Sequence, residues 1–132
     1  MAAFALFLGE PRGEALLKKK QRLESPNEII GLDDADVIGL GLDVDPYQSH
    51  QVWSHEGLTA LHANIANTVE QLRARAQRDV LTETRRHSVE PWLEALVAQR
   101  LHTDEKFEQT TRLLALVARA MHENGTVIFF GD

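Results

Sequence analysis

The chain has 132 residues, of which 43% are hydrophobic and 26% charged; this is globular composition, and it excludes a disordered or low-complexity protein. There is no cysteine, so disulfides and thiolate chemistry are excluded. The net charge of −6 hides a strong segregation. Residues 1–22 carry five basic and two acidic groups, and residues 73–132 carry nine of each. Residues 23–72 carry nine carboxylates (Glu24, Glu28, Asp33, Asp34, Asp36, Asp43, Asp45, Glu56 and Glu70) with no lysine or arginine. Such asymmetry speaks to partners rather than to fold.

In chain order, the run Ala2 to Leu8, closed by Gly9 and Pro11, predicts a buried strand. It is too short to span a bilayer and lacks the basic flank of a signal peptide. Gly13 to Glu24 is rich in strong helix formers, with Leu16, Leu17 and Leu23 available for burial and Lys18, Lys19, Lys20 and Arg22 on a solvated face. Ser25-Pro26-Asn27-Glu28 reads as the start of a brief helix, with Ser as cap and Glu reaching back. Ile38, Leu40, Leu42 and Val44 alternate with small or acidic residues, which predicts a strand ended by Pro46.

The strongest signal follows. Leu58, Leu61, Ile65, Val69, Leu72 and Ala76 recur at steps of three and four and Val80 extends them, predicting a helix from Gly57 to Thr84. Ser88 is expected to cap a second helix with Pro91 in its first turn, burying Trp92 or Leu93 with Leu96, Val97 and Leu101. Thr103 is expected to cap a third, whose stripe is Phe107, Thr110, Leu114, Val117 and Met121, stopped by Asn124-Gly125. Thr126 to Phe130 is β-branched and aromatic, a final strand. The expected fold is α+β: one compact domain over residues 1–132, predominantly helical, with about four helices packed on a sheet of two to three strands.

The motifs do not fix one chemistry. "LDVDPY" places Asp43 and Asp45 just after an apolar strand, and "IFFGD" closes the chain with an apolar strand before Gly-Asp. These two short motifs are similar to the nucleophile and metal motifs of haloacid dehalogenase-type phosphatases. The resemblance implies a nucleophilic Asp43 with Asp45 as acid/base beside Mg²⁺. The chain departs from that pattern at Tyr47, where the family carries Thr or Val. Asp33, Asp34 and Asp36 lack the glycine and glutamate spacing of a calcium loop. Gly39-x-Gly41 lacks the third glycine of a dinucleotide fingerprint. His50, His55 and His62 match no zinc spacing, and His62 beside the apolar stripe is expected to be a helix-edge residue.

The charge segregation therefore carries the functional expectation. Asp33, Asp34, Asp36, Asp43, Asp45 and Glu56 are expected to form an acidic surface with Tyr47 and Trp53 as anchors, docking on a basic protein, either a toxin or a nucleic-acid enzyme. The class that fits best is a non-catalytic inhibitor, a bacterial immunity protein neutralising a cognate toxin. No cofactor, metal, membrane or direct nucleic-acid partner is expected, and the location is expected to be cytoplasmic. The alternatives are an Asp-dependent metal-binding enzyme or phosphatase-like protein, and a homodimeric regulatory domain. Trp92, at a capped helix start, is expected in the core.

Overall fold

The computed structural model describes residues 2–8, 27–33, 50–87 and 90–130. Its elements are β1 (Ala2–Phe7), β2 (Glu28–Leu32), β3 (His50–Trp53), α1 (Glu56–Thr84), α2 (Pro91–His102), α3 (Glu105–His122) and β4 (Thr126–Phe130). The strands form one antiparallel sheet in the order β2-β1-β4-β3, so the apolar first and last strands are central and β2 and β3 are its edges. The α+β class is as expected, but the described residues hold three helices and four strands rather than about four and two to three. The helix expected at Gly13–Glu24 and the strand expected at Ile38–Val44 lie outside the described residues.

The helical start expected at Ser25–Glu28 is corrected. Glu28 begins β2, which pairs from Ala2↔Leu32 to Leu6↔Glu28. Asn27 seals that junction: its N–H donates to the Leu6 carbonyl (2.8 Å), and its Oδ1 accepts from the Leu8 N–H (2.9 Å). Long-range pairing with β1 overrides the local capping pattern.

One face of the sheet presents Ala2, Phe4, Leu6, Ile30, Leu32, Val127 and Phe129 to Leu58, Leu61 and Ile65 of α1 and to Leu113, Leu116, Val117 and Ala120 of α3. Phe4 anchors this core, its ring 5.0 Å from Phe129 and stacked 5.9 Å from Trp53. Such pairs contribute about 0.5–1.5 kcal/mol beyond area burial. The opposite face buries Ala5, Phe7 and Ile128, with Val52 and Phe130 packed against them.

The long helix matches its expected stripe closely, burying Leu58, Leu61, Ile65, Val69, Ala76 and Val80, with Thr68 added and Leu72 half-buried. At 29 residues it is about 43 Å long, so its second half projects past the sheet core and packs on α2. There α2 buries Leu93 and Leu101. Trp92 is 47% exposed, which corrects its expected place in the core. Glu90, with no side-chain cap bond, stands at the N-cap of α2 in place of the expected Ser88, which lies outside the described residues.

The third helix is capped by Asp104, one residue after the expected Thr103; its Oδ1 accepts from the N–H groups of Lys106 (3.0 Å) and Phe107 (3.4 Å). Its buried stripe is Thr110, Leu113, Leu116, Val117 and Ala120, so Leu114 and Met121 are displaced outward. The helix ends as expected at Asn124-Gly125. Asn124 is left-handed (φ 52°), and the Gly125 N–H returns to the Ala120 carbonyl at 2.7 Å. A Cβ on Gly125 would lie 2.8 Å from Leu8 Cδ2 and 2.9 Å from the Phe7 carbonyl, so glycine lets α3 turn directly into β4.

Candidate protein-binding surface

The expected acidic surface is only partly within the described residues, and those members do not converge. Asp33 is exposed just after β2, at the end of the sheet marked by Ala2↔Leu32. Trp53 ends β3 opposite Val127, and Glu56 opens α1 just beyond it, exposed. Those two lie at the other end of the sheet and on the other edge. Three strand spacings of about 4.8 Å and four residue steps of about 3.4 Å separate Leu32 from Trp53 by roughly 20 Å. Asp34, Asp36, Asp43, Asp45 and Tyr47 lie outside the described residues. The segment bearing them leaves the sheet at Asp33 and rejoins it at His50, which pairs with Phe130. Both attachment points are at the Ala2 end, on opposite edges.

Trp53 is half-buried and stacked on Phe4, so most of its surface is committed to the core edge. The chain enters α1 through a tight turn in which Gly57 N–H donates to the Ser54 carbonyl (3.0 Å). His55 occupies the first central position at φ 51°, ψ −119°, the geometry of a type II′ turn that normally favours glycine.

Electrostatics divide the described carboxylates of residues 23–72 into two groups. Glu28 pairs with Arg119 (3.6 Å) and Glu70 with Arg73 (3.8 Å). Both pairs are exposed, so solvent screening leaves each only a small contribution to stability. Asp33 and Glu56 make no ion pair among the described residues. Arg119 also donates from Nε to Glu123 at 2.8 Å. That hydrogen bond, aided by the charges of Glu123 and Glu28, holds its guanidinium above the ordinary arginine range. Arg100 is raised likewise, first by its hydrogen bond to Glu83 and then by the charges of Glu83 and Asp79. Both arginines are therefore fixed cations at any physiological pH.

The features that sequence reasoning missed lie elsewhere. A groove of about 470 Å³ runs between α1 and α2, lined by Val80, Leu96 and Thr103 and walled by the Arg100–Glu83 pair. Trp92 lies on the exposed side of α2 one turn before Leu96; its Nε1 donates to Glu90 (2.8 Å) and Arg86 lies over its ring at 5.6 Å. A smaller cleft of about 220 Å³ sits where His55 and Thr59 meet Met121 and Asn124. Ile29, on the outer edge strand, is 55% exposed, more than any other large hydrophobic residue described. Period-two alternation carries that signal: with Ile30 buried, Ile29 must point to the other face.

Among the described residues no three His, Asp or Glu side chains come together as a metal site, and no helix is long and apolar enough to cross a membrane. The described strands are all antiparallel, so they form no parallel switch point of the kind at which doubly wound enzymes hold ligands. Comparison with known proteins finds no matching family model, curated protein or solved structure.

Proposed function

We propose that the protein is a non-catalytic inhibitor of the immunity-protein type, which docks on a basic protein such as a toxin through its acidic segment. The observation that carries this reading is the charge segregation: nine carboxylates and no lysine or arginine in residues 23–72. Further support comes from Asp33 and Glu56, which are exposed and without an ion pair among the described residues. The roughly 20 Å between Leu32 and Trp53 fits within a standard docking face of about 800 Å² per partner, so the segment from Asp33 to His50, tethered at the Ala2 end of the sheet, is its centre, with Trp53 and Glu56 at its margin. Complementary potentials of this kind accelerate encounter and reject wrong partners.

The reading is tested by affinity capture from the source cell, comparing the wild type with a variant in which Asp33, Asp34, Asp36, Asp43 and Asp45 are all asparagine. The expected result is a basic protein retained by the wild type and absent from the variant. Identical retained sets would reject the acidic segment as the docking element.

A further inference from the structure

Beyond the acidic segment, we propose that the outer face of the α1–α2 hairpin binds a second copy of this chain. The two α2 helices run antiparallel about a two-fold at Leu96, and each Trp92 enters the groove of the other copy. Leu93 and Leu101 are buried and Val97 is half-buried, which fixes the inner side of α2. The opposite arc, Trp92, Ala95, Leu96, Gln99 and Thr103, is exposed and holds no Asp, Glu, Lys or Arg. A helix side that faces water ordinarily carries charge, as α1 does at Glu70, Arg75, Arg78 and Asp79. With apolar residues on both its sides, α2 has the pattern of a helix covered on both.

The longer segments outside the described residues do not suit this face. Residues 9–26 depart from Leu8, beside Gly125 and Leu58, and Val80 in the groove lies about 33 Å further along α1 than Leu58. A stretch of that length, going out and returning, reaches about 30 Å only when fully extended. Residues 34–49 bring Asp34, Asp36, Asp43 and Asp45 and no lysine or arginine. The groove wall already holds Glu83, and Asp79 stands 3.6 Å from the wall's Arg100, so that segment is repelled.

A second copy suits the face because one helix bears both the knob and the hole. Trp92 is 47% exposed one turn before Leu96. The groove of about 470 Å³, roomy enough for an indole, opens one turn after Leu96 between Arg100 and Thr103 of α2 and Val80 and Thr84 of α1. A two-fold perpendicular to α2 at Leu96 exchanges these positions and keeps groove side facing groove side, so each indole meets the other copy's groove beside Arg100. Charge agrees with that register. Arg86 lies over the indole at 5.6 Å with Arg85 next to it, against the single carboxylate of Glu90, so the knob is net positive. The wall sets Glu83 and Asp79 against the single Arg100, so it is net negative. Parallel pairing would instead place Trp92 beside Trp92 and Arg86 beside Arg86. Ala95, small and exposed, lets the two helices approach to the ordinary separation of about 8–10 Å. One helix face and one groove per copy is a contact at the small end of specific interfaces, which sets a micromolar dimer.

Sedimentation velocity on the wild type and on Leu96→Glu tests this. The wild type is expected to be a dimer at tens of micromolar, and Leu96→Glu a monomer whose unfolding midpoint at high dilution matches the wild type. Because the chain has no cysteine, Leu96→Cys reads the register directly. Thiols that meet at the two-fold are expected to oxidise rapidly to a disulfide between copies, whereas those of Ala115→Cys, exposed on α3, are not. A wild type that stays monomeric to about 100 µM, or a Leu96→Glu protein that dimerises as well as the wild type, would overturn the proposal. So would Leu96→Cys that cross-links no faster than Ala115→Cys. None of these outcomes depends on the acidic segment, so they leave the docking reading to its own test.

Discussion

Replacing Gly125 by alanine probes the junction on which the packing of α3 against the sheet depends. The new methyl would meet Leu8 Cδ2 at 2.8 Å and Phe7 O at 2.9 Å, with Leu6 Cδ1 at 3.3 Å. The Leu8 terminus is half-buried and can rotate away. The Phe7 carbonyl cannot, because Phe7 is held in register with Thr126. Relief requires β1 and the start of β4 to separate by a few tenths of an ångström, at the end of the central strand pair that carries Phe4 and Phe129. Overpacking of this kind costs about 1–3 kcal/mol, and the backbone partner places Gly125→Ala in the upper half of that range. For a chain of this size about 2 kcal/mol lowers the melting temperature by roughly 6–10 °C. Thermal and urea unfolding measure it directly, with an unchanged m-value expected if only the native state is strained. A Gly125→Ala protein as stable as the wild type would refute the close approach of α3, β4 and the end of β1.

Three further outcomes follow from the same geometry. Arg85 is left-handed (φ 57°) at the end of α1, with the Arg86 N–H bonded to the Leu81 carbonyl at 3.0 Å. Arg85→Gly is therefore expected to raise stability by about 0.5–1 kcal/mol in urea unfolding. Asp104→Ala removes the acceptor for the Lys106 and Phe107 N–H groups and is expected to cost about 1 kcal/mol; Asp104→Asn recovers most of it. Leu113→Ala empties a fully buried position between α3 and the sheet and is expected to cost about 3–5 kcal/mol by the same assay.

The elements read most easily from the sequence are those whose periodicity admits one solution. The α1 stripe has a single apolar line with polar residues on both sides, and the helix runs one residue beyond its expected start. The first and last strands are short apolar runs bounded by glycine or proline, and pairing with each other makes them central. In α3 the apolar residues Leu113, Leu114, Leu116, Val117, Ala120 and Met121 form an arc wide enough for two stripes. The choice between them is made by simultaneous contact with α1 and the sheet, which no local pattern encodes. Trp92 and Leu93 pose the same ambiguity at the start of α2. Leu93 is fully buried, while the indole finds Glu90 and Arg86 outside.

The candidate site was legible as a charge inventory but not as a place. The run from Glu24 to Glu70 is continuous along the chain, yet Asp33 and Glu56 belong to opposite edges and opposite ends of one sheet. Strand order is set by which residues pair across the chain, and here the interposition of β1 and β4 separates β2 from β3. Arg119, distant in sequence, neutralises Glu28 for the same reason. Asp33 is exposed at the Ala2 end of the sheet and Glu56 at the other end.

The most direct measurement is the association rate of the captured basic partner with the wild type and with the five-asparagine variant across ionic strength. Screening shortens from about 10 Å at 0.1 M salt to about 3 Å at 1 M. The wild-type rate is expected to fall steeply over that range, while the variant starts low and stays flat. Equal rates and equal salt slopes for the two proteins would contradict docking through residues 33–45.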